Sequence, residues 1–261
     1  MRAPEAVRRP PAMDPRIRRR RVAVTRARGR RRLRALLSVA AVVSLGAGAL
    51  AVLHSPLLSA RHLSVVGSGH TPAATVERRA GLAGHPPLVD LDTTTAALRV
   101  QALPWVARAS VVRRWPDSVV VRVVERVPVA VVASRRGGKV LVDAGGRVLG
   151  PAGASTALPT LTGAGVAGPA GSTMGRRALA GLAVASVAGR AMGGQVRAVG
   201  VQGADVTLDL GGGVRALLGP PRQLDAKLTS LRSVLVGAPP KGPQTIDVTV
   251  PAEPTVGPGS P

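Results

Sequence analysis

The sequence predicts an α+β protein with a single N-terminal transmembrane helix. Three observations carry that reading. A run of 19 uncharged residues, Ala35 through Leu53, stands directly behind a block of arginines. Two short helical periodicities lie between one strand pattern and a valine-rich strand pair. From Ala130 onward, short strands alternate with glycine turns around two further helical patterns.

The basic arm comes first. Residues 1–34 hold fourteen arginines against Glu5 and Asp14, so over half of the chain's net charge of +23 sits in this arm. As a helix, Ala35–Leu53 would be about 28 Å long, close to the thickness of a bilayer core. Arg30, Arg31, Arg32 and Arg34 precede it and only His54 and Arg61 follow closely. The positive-inside bias therefore puts the N-terminus in the cytoplasm and the bulk of the chain outside, as a single-pass type II protein. A cleaved signal peptide is the competing reading, because Ala49-Leu50-Ala51 has small-x-small spacing. The long arm and long apolar run favour an anchor. Nucleic-acid binding is another use of arginine runs, but a span directly behind the arm makes anionic lipid the simpler partner.

Cysteine is absent, which excludes disulfides, thiolate metal sites and thiol catalysis. The Ala/Val/Arg/Gly-heavy composition points to a GC-rich bacterial source.

After a linker at 54–61, a strand is expected at His62–Gly67. Thr71 reads as an N-cap with Pro72 at the first helical position, and Gly81 closes that helix. Asp92 or Thr93 caps a second helix, with Ala96, Val100 and Leu103 on one face and Pro104 as its stop. Two strands follow, Val106–Arg114 and one pointing Val119, Val121 and Val123 inward, joined at Pro116-Asp117. The two tryptophans, the only aromatic residues, bracket this region. Both Trp105 and Trp115 are expected to be largely buried, packed over the helices. This unit is placed at 62–130.

A mixed β-domain with two helices is placed at 131–250. Lys139–Asp143 and Arg147–Leu149 form a hairpin around Ala144-Gly145-Gly146. Val196–Val201, Asp205–Leu210 and Val214–Leu218 form a meander. One helix carries Leu179, Ala183 and Val187 on a face; the other carries Leu224, Leu228, Leu231 and Leu235. A last strand at Gln244–Val250 leaves a Pro/Gly-rich tail, 251–261, expected to be disordered.

The sequence carries no catalytic, cofactor or metal signature. His54, His62, His70 and His85 lack ligand spacing, and Gly211-Gly212-Gly213 reads as a hairpin turn rather than a phosphate loop. No Gly-x-Ser-x-Gly or Ser-x-x-Lys signature occurs. Asp143 and Asp247 have no evident acid/base partner.

Several blocks then carry a resemblance: Leu88-Val89-Asp90-Leu91-Asp92, Leu103-Pro104-Trp105-Val106, Arg114-Trp115-Pro116, Glu125-Arg126-Val127-Pro128, Leu141-Val142-Asp143-Ala144-Gly145-Gly146, Leu218-Gly219 with Lys227-Leu228, and Ile246-Asp247-Val248. In order, they resemble the FtsQ/DivIB cell-division proteins of bacteria, here of a GC-rich actinobacterial type. The strand–helix–helix–strand–strand unit corresponds to that family's POTRA domain, with Pro104, Trp105, Arg114, Trp115, Pro116, Glu125, Arg126 and Pro128 as its structural motif. The resemblance implies a non-catalytic divisome scaffold at the septum. It would recruit FtsB/DivIC- and FtsL-type coiled-coil proteins and help control the FtsW/FtsI septal peptidoglycan synthase. A terminal edge strand can capture a partner strand. The expected partner-binding residues are Thr245, Ile246, Asp247, Val248, Thr249 and Val250. A POTRA-type module for polypeptide transport and a membrane-anchored cell-wall enzyme are the alternatives; the first lacks strands for a membrane barrel, the second a nucleophile or metal cluster.

Overall fold

A computed structural model describes residues 15–259. The first fourteen residues of the expected arm, and residues 260–261 of the tail, lie outside them. The chain divides into two compact units between Ser59 and Ala60.

The first unit is dominated by one helix, α1 (Pro15–Leu53), of 39 residues. It starts inside the basic arm, so the arm from Pro15 onward is helical and continuous with the apolar run. Arg34–Leu53 is long and apolar enough to cross a membrane, and its Leu36, Val39 and Leu45 side chains are exposed. A 3₁₀ turn, Pro56–Leu58, follows.

The second unit contains two sheets with separate cores. The smaller has the expected element order: β1 (His62–Val66), α2 (Ala73–Ala80), α3 (Thr93–Gln101), β2 (Val106–Arg114) and β3 (Ser118–Glu125). Its strand order is β1-β3-β2, with β1 parallel and β2 antiparallel to β3. Valine alternation makes this sheet two-faced. Val119, Val121 and Val123 point at Val76, Val100 and Leu88, while Arg122 and Val124 face out. Gly67 ends β1 at φ +88°, where a Cβ would collide with the Val123 carbonyl, so only glycine fits.

Helix α3 is capped by Asp92, whose carboxylate accepts N–H bonds from Thr94 and Thr95, as expected. Helix α2 is not capped by Thr71. Pro72 occupies the cap position without a side-chain bond, and the buried Thr71 gives its N–H to Glu125. Glu125 thereby holds the loop ahead of α2, and the first turn of the helix has no side-chain cap. Gly81 ends α2 in the left-handed region, its N–H returning to Arg78.

The larger sheet has nine strands: β4 (Pro128–Ala133), β5 (Lys139–Asp143), β6 (Val148–Pro151), β7 (Thr160–Thr162), β8 (Ala198–Gln202), β9 (Asp205–Asp209), β10 (Val214–Gly219), β11 (Gln244–Asp247) and β12 (Thr255–Pro258). Their order is β12-β11-β10-β9-β8-β7-β4-β5-β6. Because β4 opens at Pro128, this sheet begins three residues before the expected start of the β-domain at 131. Helices α4 (Arg176–Met192) and α5 (Leu224–Gly237) share its core with Leu161, Val199, Leu208, Leu218 and Ile246.

Two expectations fail here. The buried face of α4 runs through Ala178, Leu182, Ala185 and Ala188, whereas Leu179 and Ala183 are exposed. With alanine on nearly every side, apolar periodicity could not distinguish the faces, and the bulk of Leu182 decides. The tail is not disordered over its described part: Thr255–Pro258 pairs antiparallel with β11. Poor strand propensity loses to the open backbone edge it can satisfy.

Candidate partner-binding edge

The C-terminal edge is built on α5. Leu228 and Leu231 anchor the helix in the core, and Lys227 is buried beside them. Its ammonium donates to the carbonyls of Leu218 at 2.6 Å and Pro220 at 3.0 Å, fixing the exit of β10. Ser230 Oγ donates to the Pro251 carbonyl and so holds the chain between β11 and β12. Asp247 turns that chain by accepting the Thr249 N–H at 2.8 Å.

Register then decides which amides face outward. Gln244 N–H and Val248 N–H donate to Gly213 and Leu217 of the β10 side, so even-numbered amides of β11 point inward. Thr245 and Asp247 therefore turn their amides toward β12. On β12, Gly259 N–H donates to the opposed Pro243 carbonyl. Alternation from that pair directs residues 255 and 257 at β11 and leaves Pro254, Val256 and Pro258 facing out. Proline has no N–H. The outer edge thus offers three carbonyls and a single donor, the amide of Val256.

The expected edge residues are thereby redistributed. Ile246 and Val248 are buried, Thr245 and Asp247 lie under β12, and Thr249 and Val250 belong to the turn. Gln244–Val250 is not the edge strand; β12 is. Composition hid β12, although Pro254, Val256 and Pro258 share one strand parity, with prolines only where no ladder donor is needed. Lys227 was also legible, since it sits on the stripe of Leu224, Leu228 and Leu231.

The opposite edge is occupied. Val148 N–H donates to Ser172, Gly171 N–H donates to Val148, and Arg147 bridges Thr173, so a loop covers the start of β6.

The expected structural motif is split between two tasks. Trp105, part-buried behind Pro104, stacks on His70 with ring centroids 4.0 Å apart, and its Nε1 lies over Gly150 of β6. Glu125 accepts from the amides of Gly69, His70 and Thr71. Burial works to raise its pKa, but the hydrogen bonds from the His70 ring and these amides win and hold it below the usual carboxylate range. Arg126 donates to Val106 O and, at 2.8 Å, to Asp143, whose other oxygen accepts the Arg147 amide. Asp143 thus has a partner that sequence reasoning missed, and the pair joins the small sheet to the large one just before Pro128. Arg114, Trp115 and Pro116 stand apart from these contacts. Trp115 is 55 % exposed, not buried. It falls in the turn after β2, past the last inward register, where Arg113 already reaches the Leu88 carbonyl.

Among the described residues, no group of three His, Cys, Asp or Glu is placed to hold a metal.

The first sheet and its two helices match, over residues 58–126, the family described as "POTRA domain, FtsQ-type". The fold thus defines a POTRA-bearing protein with one N-terminal candidate membrane span. The Cell division protein FtsQ of Streptomyces collinus is 31% identical over 236 residues, covering 87% of this chain and 89% of its own length. That of Mycolicibacterium smegmatis is 38% identical over 128 residues, covering 48% of this chain but 38% of its own, and that of Mycobacterium tuberculosis H37Rv is 40% identical over 103 residues, covering 39% and 32%. The alignment therefore spans about a third of the mycobacterial relatives' length. The chain belongs to the FtsQ family of cell division proteins.

Proposed function

We propose that this protein is a non-catalytic scaffold of the division septum, and that it captures an FtsB/DivIC- or FtsL-type partner by strand addition at β12. Through that partner it helps control the FtsW/FtsI synthase. Its N-terminus is cytoplasmic and residues 60–261 lie outside the membrane, as the arginine block before the span supports.

The observation that carries the docking site is the outer edge of β12, which has no neighbouring strand among the described residues, while a loop covers the start of β6 at the other end. A partner strand can donate to the Pro254, Val256 and Pro258 carbonyls and accept from Val256. A second copy of β12 cannot do so as well. In an antiparallel self-pair centred on Val256, each Pro254 meets a Pro258 and neither has a proton to give. The edge therefore favours a donor-complete foreign strand over its own copy.

A photo-crosslinking residue at Val256 of the full chain, in dividing cells, tests this. Crosslinks to an FtsB- or FtsL-type protein are expected from Val256 and not from Thr173 on the opposite edge. Crosslinks from the POTRA strands alone would remove the assignment. A fluorescent fusion should collect at the septum; uniform membrane fluorescence would refute the placement.

A further inference from the structure

Trp115 is a large ring left in water, in a chain with only one other aromatic residue. The turn that carries it is pinned to the point where the chain enters the second unit, because the Asp117 carbonyl accepts the amides of Arg61 at 2.9 Å and His62 at 3.1 Å. Only residues 54–60 separate Arg61 from Leu53, the last residue of the candidate span. Seven residues reach no more than about 25 Å even when fully extended. Chain connectivity thus sets an upper limit on how far the residues that pin the turn can lie from the end of the candidate span.

Its charge fits an anionic surface. Arg61 and Arg114 are exposed there, and a groove of about 590 Å³ beside them is lined by Arg61, His62, Ser64, Arg114 and Val120. The one acid of the turn, Asp117, is engaged by His62 Nδ1 at 3.1 Å and by the Ser118 hydroxyl at 3.0 Å. Tryptophan between an apolar phase and water, flanked by arginine, is the side-chain pattern of a membrane interface.

We propose that the β2–β3 turn is a lipid-contacting tip: Trp115 seats among the headgroups of the bilayer that holds the anchor, with Arg61 and Arg114 against anionic phospholipid. This site is independent of the β12 edge and does not rest on strand capture.

The test uses the full chain in vesicles of phosphatidylcholine and phosphatidylglycerol, with acyl chains brominated near the headgroup as quencher. Trp105→Phe isolates the emission of Trp115, which should be blue-shifted and quenched by more than about twofold. Because Trp105 supports the fold, Trp115→Phe gives the same answer by difference: quenching seen in the parent chain should vanish. Arg61→Ser with Arg114→Ser should weaken the quenching, most at low salt. Water-like emission unaffected by brominated lipid would overturn the proposal. So would shielding that appears only when a protein partner is added, which would make the tip a protein-docking site.

Discussion

Glu125 and His70 close the POTRA unit on itself: the imidazole Nδ1 lies 2.7 Å from Glu125 Oε2, and the same carboxylate accepts His70's own amide at 2.8 Å. The ring so oriented lies flat on Trp105. One carboxylate at the end of β3 thus orders the loop before α2 and the ring that supports the tryptophan. Burial opposes its charge, the His70 ring and the loop amides favour it, and the net effect is a lowered pKa. A lowered folded pKa gives stability that is complete above the unfolded value, near 4.3, and is lost as pH falls through the folded value. Urea midpoints of the full chain in detergent should therefore fall with pH below about 4.5. Glu125→Gln should flatten that slope and, at neutral pH, cost about 1.5–3 kcal/mol. An unchanged slope would show that Glu125 does not set it.

The tryptophans should separate sharply. Trp105→Ala removes a part-buried stacked ring and should destabilise by about 2–3 kcal/mol, below the cost of a fully buried ring. Trp115→Ala, being exposed, should change stability by no more than about 0.5 kcal/mol. Equal losses at both sites, read from denaturant melts, would contradict the placement of Trp115.

The joint between the sheets rests on Arg126 and Asp143. Asp143 is largely buried, and its removal strands the Arg126 guanidinium and the Arg147 amide together. Asp143→Ala should cost about 3 kcal/mol. A double-mutant cycle with Arg126→Ala should return a coupling of about 1 kcal/mol or more, and additivity of the two single losses would dissolve the joint.

The POTRA order was legible in the sequence because its signals agree: period-2 valines, a capping aspartate, and proline and glycine at the right ends. Distant contacts were not legible. Thr71 gives its amide to Glu125 instead of capping α2, Arg126 finds Asp143, and Leu182 rather than Leu179 faces the core, all through tertiary packing. The docking edge was half legible. The strand at Gln244 and the idea of an edge were both in the pattern, but proline and glycine content concealed that β12 covers it. Strand parity also had to await the amide bonds to Gly213 and Leu217.

The prolines of β12 should restrain self-pairing. Pro254→Val with Pro258→Val restores two outward amides, and the full chain in detergent should then associate with itself at concentrations where the parent does not. Light scattering reports this, and an unaltered mass would mean that the prolines play no such part.

Strand addition at β12 turns on the amide of Val256, so its most direct test is the affinity of an FtsB-type partner for the full chain and for Val256→Pro. That substitution deletes the outer edge's one donor and places a ring in the path of an incoming strand, while the amides of residues 255 and 257 that hold β12 to β11 are kept. With folding confirmed by circular dichroism, affinity should fall by about tenfold or more, corresponding to about 1.4 kcal/mol. A folded Val256→Pro chain that bound the partner as tightly as the parent would contradict strand addition at β12.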